Sequence, residues 1–273
     1  MKSEGIFEQY DTVKEDMKFF TSSDVRSKII ISLTNGTKNL ADLRSELCLS
    51  SSTILHGMNQ LEEKDFIFRE SRFYSLSQTG EIAANILIDM MKSIYSLKKF
   101  KPLFLHHEIG CIPNHLMKEV GSLNDSKIVK STNEDVLKPQ RVLSGFLSKT
   151  NNIKHLSSVF HPQNSVELLK TIENGGELQL VLTRGVLEQL IETIGMEIIN
   201  KAIFTGKLQI WRVGDDTKIS FTMGNDFVAL GLFSTEGVYD LNIFMISQAN
   251  DAIVWGNNLF NYYLDNAEKF ELR

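Results

Sequence analysis

Between Val25 and Leu76 the hydrophobic period changes once, and that change restricts this stretch to very few folds. Val25, Ile29, Ile30 and Leu33 recur at helical spacing and stop at Asn35-Gly36, a helix-ending pair. Asn39, followed three positions later by Asp42, is an approximate N-terminal cap for a short second helix with Leu40, Leu43 and Leu47 along one side. Leu49-Ser50-Ser51-Ser52 breaks the chain. A third helix, about Ser51 to Lys64, then sets Ile54, Leu55, Met58 and Leu61 on one face. Beyond it, Phe66-Ile67-Phe68 and Phe73-Tyr74-Ser75-Leu76 flank the polar Arg69-Glu70-Ser71-Arg72, the pattern of two short strands around a turn. Three helices and a hairpin in this order predict a winged helix-turn-helix.

The opposite face of the third helix carries Ser52, Thr53, His56, Asn59, Gln60 and Glu63. In a major groove, Asn and Gln pair with adenine, while Ser, Thr and His bond bases or phosphates. Lys64, Arg69 and Arg72 are placed to reach phosphates or a minor groove. The predicted DNA-binding set is therefore Ser52, Thr53, His56, Asn59, Gln60, Lys64, Arg69 and Arg72, with double-stranded DNA as partner. The bland alternative is a merely solvated face, because Glu62, Glu63, Asp65 and Glu70 repel phosphate. The net charge of −5 gives no broad basic footprint, so local arrangement has to carry the binding.

From Ser77 to about Phe100 there is no proline, and Ile82, Ile86, Leu87, Met90, Ile94 and Leu97 keep helical spacing. Ile88, Met91 and Tyr95 widen the apolar surface beyond what one neighbouring domain covers, which predicts a homodimer. The following segment holds His106, His107, Glu108, Cys111 and His115, yet no His stands four residues after His107, so the zinc-protease pattern fails. A looser His/Cys metal site is the alternative to a plain connector, and no metal is assigned.

The remaining chain alternates strands and helices. Strands are predicted at Ser126–Lys130, Ile153–Phe160 and Leu178–Leu182, with helices at Asp135–Lys149 and Val166–Ile172 and one or two more over Val186–Phe204. Such a series builds a parallel sheet with helices on its faces. Four more strands follow at Leu208–Val213, Ile219–Met223, Phe227–Phe233 and Val238–Ser247, with tight turns at 214–216 and 224–226, and a final helix runs from about Ala249 to Phe270. Ligands bind beyond the carboxyl ends of parallel strands. That places an expected anionic or polar small-molecule effector at His161, Thr183, Arg184, Trp211 and Arg212, the alternative being ordinary loop chemistry.

The expected architecture is thus mixed α+β and α/β. It comprises a winged-helix domain over 1–100 that includes the helix 77–100, a connector over 101–125, and an α/β regulatory domain over 126–273. At about 150 residues per domain, a length of 273 suits this division. The longest uncharged stretch, Leu47 to Leu61, is rich in Ser, Thr, Asn and Gln and shorter than the about 20 apolar residues of a membrane span. The acidic start, with Glu4, Glu8 and Asp11, is no secretory signal, and a cytoplasmic location is expected. Cys48 and Cys111 form no CxxC pair. Phosphate-loop, dinucleotide and nucleophile-elbow motifs are missing, and no histidine opens the HxK pair of phospholipase-type nucleases, so neither catalysis nor a cofactor is expected.

The element order, the segment Phe104-Leu-His-His-Glu-Ile-Gly-Cys-Ile-Pro-Asn-His-Leu116, Leu156-Ser-Ser-Val-Phe-His-Pro162 and Glu177-Leu-Gln-Leu-Val-Leu-Thr183 resemble the archaeal methanogenesis-regulator family. The resemblance extends from about Asp11 to Phe270. It implies an ArsR-like winged-helix transcription regulator, cytoplasmic and dimeric, whose α/β half resembles the filament-and-methanogenesis regulator domain and senses a signal. It supplies no ligand motif. Two functions compete: an effector-responsive, sequence-specific DNA-binding regulator, and a winged-helix module that docks a protein.

Overall fold

The computed structural model describes residues 3–271. The chain separates into two compact units, 1–91 and 92–273.

The first unit begins with α1 (Ser3–Thr21), unforeseen from the sequence, followed by α2 (Asp24–Leu33), β1 (Lys38–Asn39), α3 (Leu40–Leu47), α4 (Ser51–Glu63), β2 (Ile67–Glu70), β3 (Phe73–Leu76) and the start of α5 (Gln78–His106). Local chemistry fixes the helix starts. Asn39 Oδ1 accepts from the Ala41 and Asp42 backbone N–H groups and Asp42 accepts from the Asn39 N–H, a complete capping box. Ser50 Oγ caps α4 by accepting from the Thr53 N–H at 3.2 Å. The antiparallel strands order as β1-β3-β2. Ile29, Ile30, Leu33, Leu43, Ile54, Met58, Leu61 and Ile67 form the core under them. Gly57 sits where a Cβ would come within 2.9 Å of Val25 Cγ1, so its missing side chain lets α2 and α4 pack closely. This is a winged helix-turn-helix, in the predicted order.

In the second unit, α5 continues through Pro102 to His106 instead of ending near Phe100. Proline forfeits one helical hydrogen bond, but Phe100 and Leu103 are buried in this unit's core and hold the helix on course. The connector region, with α6 (Asn114–Lys118) and a 3-10 turn (Val120–Leu123), places Ile112, Leu116 and Leu123 in that same core. Next come β4 (Lys127–Lys130), α7 (Lys138–Leu147), β5 (Asn152–Ser157), α8 (Pro162–Glu173), β6 (Glu177–Leu182), α9 (Arg184–Ile194), α10 (Met196–Phe204) and β7 (Leu208–Arg212). β8 (Ile219–Met223), β9 (Val228–Leu232), β10 (Ile243–Ser247), α11 (Asn250–Asp265) and β11 (Glu268–Lys269) complete it.

Eight strands order as β11-β7-β6-β5-β8-β9-β10-β4. Among the described residues only β5, β6 and β7 run parallel; β8 joins β5 antiparallel, so the sheet is mixed rather than parallel. The turn expected at 214–216 therefore closes no hairpin. The chain leaves β7 and re-enters the sheet beside β5, while Gly224–Asp226 does turn β8 into β9. β10 is also shorter than expected, because 233–242 is a loop carrying only isolated bridges. Strand alternation gives the sheet two apolar faces. Leu156, Val181, Phe221 and Leu230 pack under α11, and Leu178, Leu180, Leu182 and Phe244 pack under helices α7 to α10.

Candidate nucleic-acid interface and ligand cavity

Burial of Ile54, Met58 and Leu61 turns the opposite side of α4 to solvent, where Ser52, Thr53, His56 and Asn59 are all exposed. Ser50 Oγ lies 2.9 Å from Ser52 Oγ and 2.7 Å from Thr53 Oγ1, which holds those two hydroxyls together at the helix start. Gln60 stands apart from them. It is half-buried, and its Oε1 accepts from Arg26 Nη1 at 2.7 Å. Arg26 in turn donates through Nε and Nη2 to the Phe19 carbonyl at 2.9 and 2.8 Å and stacks 4.3 Å from the Phe19 ring centroid. Gln60 thus ties α4 to the end of α1, a role set by a residue 34 positions upstream.

The cations lie outside α4, whose sequence contains no Lys or Arg. Lys64, just past it, is exposed, pairs with Asp16 at 3.4 Å and lies 5.3 Å from the Phe19 centroid. On the hairpin, Ser71 adopts a left-handed backbone with φ 58, and Arg69 Nε donates to the Ser71 carbonyl at 2.8 Å. The guanidinium groups of Arg69 and Arg72 rest on Tyr74 and Phe73, 5.4 and 5.6 Å from the ring centroids. Stacking leaves the outer N–H edges of both free for phosphate. Arg44, exposed on α3, is a cation the sequence pattern did not single out; its only signal was being the sole basic residue of that helix.

The expected effector residues do not converge. Arg184 is exposed and pairs with Glu188 at 2.8 Å, while its backbone N–H donates to Asp215. Arg212 pairs with Glu268 across β7 and β11. Both arginines line one open groove, away from His161. Thr183 is buried at the N-cap of α9. Trp211 packs against the α11 side of the sheet, whereas Ile210 next to it belongs to the other side. His161 alone lines a cavity at the carboxyl end of β5.

That cavity also contains His155, buried in β5 with Nδ1 2.8 Å from Thr222 Oγ1. Burial pushes His155 down to about 4, so the ring is neutral in the folded chain at ordinary pH. Since an unfolded histidine titrates near 6.5, the unfolded chain alone takes up this proton between about pH 6.5 and 4, and stability falls as pH falls through that window. The expected loss is about 3 kcal/mol. Urea unfolding at pH 7 and pH 4.5 checks it: His155→Gln should flatten the difference, and an unchanged difference refutes the assignment.

The loose His/Cys group does not assemble. His107 is buried with Nδ1 2.8 Å from the Leu103 carbonyl and Nε2 3.3 Å from Asp240, while His106 and His115 are exposed. Burial raises the Cys111 thiol to about 11, which disfavours the thiolate a metal needs. Among the described residues, no group of three or more His, Cys, Asp or Glu could hold a metal ion, and no helix is long and apolar enough to cross a membrane.

Fold and sites together define a winged helix-turn-helix followed by a mixed α/β unit with an internal cavity. Models of the N-terminal and middle domains of the methanogenesis regulatory protein FilR1 match residues 14–95 and 136–266. The chain belongs to the methanogenesis-regulator family. It is 24% identical over 267 residues to FilR1 of Methanothrix harundinacea (strain 6Ac), covering 97% of this chain and 60% of that relative's length. Among solved structures, TrmBL2, an archaeal chromatin protein described as showing a novel mode of DNA binding, aligns with a TM-score of 0.42 at 15% identity over 94% of this chain and 100% of that one. Nuc, a phospholipase D family member from Salmonella typhimurium, aligns at 0.39 and 9% identity over 54% of this chain and 98% of that one.

Proposed function

We propose that this chain is a dimeric, effector-responsive transcription regulator that binds specific double-stranded DNA through α4 and the β2–β3 hairpin. The observation that carries the reading is the exposed polar face Ser52, Thr53, His56 and Asn59 on α4, accompanied by exposed Arg69 and Arg72 on the hairpin. Membership of a regulator family supports it. In this reading the α4 face contacts base edges, and Lys64, Arg69, Arg72 and Arg44 anchor phosphates from flanking elements. Asn59→Ala should cost about 1–3 kcal/mol at particular base pairs. Gln60→Ala should instead cost about 1–2 kcal/mol of folding stability by taking a partner from Arg26. Anisotropy titrations with matched and single-base-changed duplexes, beside urea unfolding, separate the two effects; base selectivity lost in Gln60→Ala would reverse the assignment.

Dimerisation rests on apolar residues left in water. On α1, Ile6, Tyr10, Val13 and Met17 are exposed at spacings of four, three and four, the seam of a helix that pairs with another helix. Ile82 and Ile86 on α5 are exposed as well. A Tyr10→Glu/Val13→Glu double variant should sediment as a monomer where the parent sediments as a dimer, and a parent that is monomeric at micromolar concentration removes this part of the proposal.

The primary test is fluorescence anisotropy of the protein on its own upstream DNA, with a scrambled duplex as competitor, at two salt concentrations. Specific binding that weakens steeply with salt supports phosphate contact. No binding at low salt favours the competing role, a winged helix that docks a protein, which the absence of any cation on α4 would suit.

A further inference from the structure

We propose that the second unit binds a small uncharged molecule in the cavity at the carboxyl end of β5, and that Arg184 and Arg212 take no part. This deepens the effector half of the function proposed above and rests on it only for the link to DNA.

The position follows from the sheet. β5 is the strand at which parallel pairing with β6 gives way to antiparallel pairing with β8. Such sheets leave a crevice beyond the carboxyl ends of their parallel strands. Here it is a cavity of about 70 Å³, room for roughly five or six water-sized groups. Leu143, Phe160, Leu180, Leu182 and Phe244 give it apolar walls.

The polar groups select the guest. The Gln140 amide donates from Nε2 to His161 Nε2 at 2.7 Å, which puts the ring proton on Nδ1. Nδ1 is buried and, among the described residues, has no hydrogen-bond partner. A buried donor without an acceptor is unfavourable, and a carbonyl or ether oxygen on a guest would supply one. Other polar groups of the wall are already matched. The Tyr239 hydroxyl lies where a Cβ on Gly231 would be 2.2 Å away, so that glycine is required to seat it, and Ser220 is close enough to offset part of the burial that raises the phenol. His155 is bonded to Thr222.

Charge excludes ions. Among the described lining residues there is no Lys or Arg, and the one carboxylate is Asp240. An anion would meet that carboxylate without a countercharge in a largely apolar site. A cation would find Asp240 engaged: Oδ2 lies 3.3 Å from His107 Nε2 and Oδ1 accepts from the Asn242 N–H at 2.9 Å. What fits is an uncharged molecule with a short apolar body and one acceptor oxygen. The arginine groove cannot substitute, since both of its guanidinium groups are paired with glutamates in the open.

Methyl-labelled NMR of the full chain, titrated with propanamide, propanoate and propylammonium, tests this. Propanamide should saturate shifts of the Leu180, Leu182 and Leu190 methyls in the millimolar range, with propanoate and propylammonium at least about tenfold weaker. His161→Phe, which keeps an aromatic ring and removes the donor, should weaken propanamide at least about fivefold, and Arg184→Ala should change nothing. Should His161→Phe not fold, Ala229→Val narrows the same cavity and should weaken propanamide likewise. The proposal is overturned by unmoved cavity methyls, by a charged probe binding more tightly, or by loss of binding in Arg184→Ala. Anisotropy on DNA run alongside keeps the two proposals separate. Cavity shifts without DNA binding would sink only the regulator, and DNA binding without cavity shifts would sink only the cavity.

Discussion

Trp255→Ala is expected to lower the melting temperature of the chain by roughly 10–20 °C, from a loss of about 5 kcal/mol. Trp255 is 1% exposed and lies in the core formed with Phe221, Leu230, Leu259 and Phe260. Truncating a buried aromatic ring removes its transfer energy and leaves a cavity that a close-packed sheet interface fills poorly, about 3–5 kcal/mol. The indole also donates from Nε1 to the Leu116 carbonyl at 3.0 Å, so the truncation strands a buried acceptor as well. Trp255→Phe keeps most of the volume and loses only that bond; it should cost about 1–2 kcal/mol. Calorimetry of both variants checks the ranking. A fall of less than about 3 °C in the alanine variant would mean that α11 does not pack as described.

Apart from α1 and β1, the first unit was legible because its signals are local. Ile54, Met58 and Leu61 are spaced for a helix, Asn39 and Asp42 sit at capping distance, and Phe66 to Leu76 alternate around a polar turn, so the three helices and the hairpin announce themselves within a dozen residues each. Gln60 was not legible. Its position on α4 resembles that of Asn59, and only the approach of Arg26 decides that its amide turns inward. Local rules also failed at Pro102, where burial of Phe100 and Leu103 outweighs one missing hydrogen bond.

The second unit was legible in its elements and not in its topology. Which strand lies beside β5 depends on pairing across 67 residues, from His155 to Thr222, and no spacing rule carries that information. Part of the scatter of the expected effector residues was foreseeable. Trp211 and Arg212 are neighbours in a strand, and neighbours in a strand face opposite sides of the sheet, so their side chains diverge. His161 does line the cavity, because Pro162 marks the exit from β5 into α8 and the crevice opens at that exit.

Arg69→Ala/Arg72→Ala should weaken binding to the operator by about 3–4 kcal/mol at low salt, several hundredfold, and should weaken scrambled DNA by nearly as much. Hydrogen bonds to charged groups are worth about 1.5–3 kcal/mol each, and both guanidinium groups are exposed and held in place by stacking on Tyr74 and Phe73. That stacking removes much of the entropy cost that flexible cations otherwise incur on meeting phosphate. Because each phosphate neutralised releases counterions, the slope of log affinity against log salt should become shallower by about 2. The acidic neighbours Glu62, Glu63 and Glu70 make the pair more important, since α4 has no cation of its own to offset them. Lys64→Ala should matter less, because Lys64 is already shared with Asp16. Titrations of the double variant and of Lys64→Ala at several salt concentrations decide the point. An unchanged slope would show that the hairpin does not touch the backbone, and selective loss on the operator alone would make these arginines base readers instead of anchors.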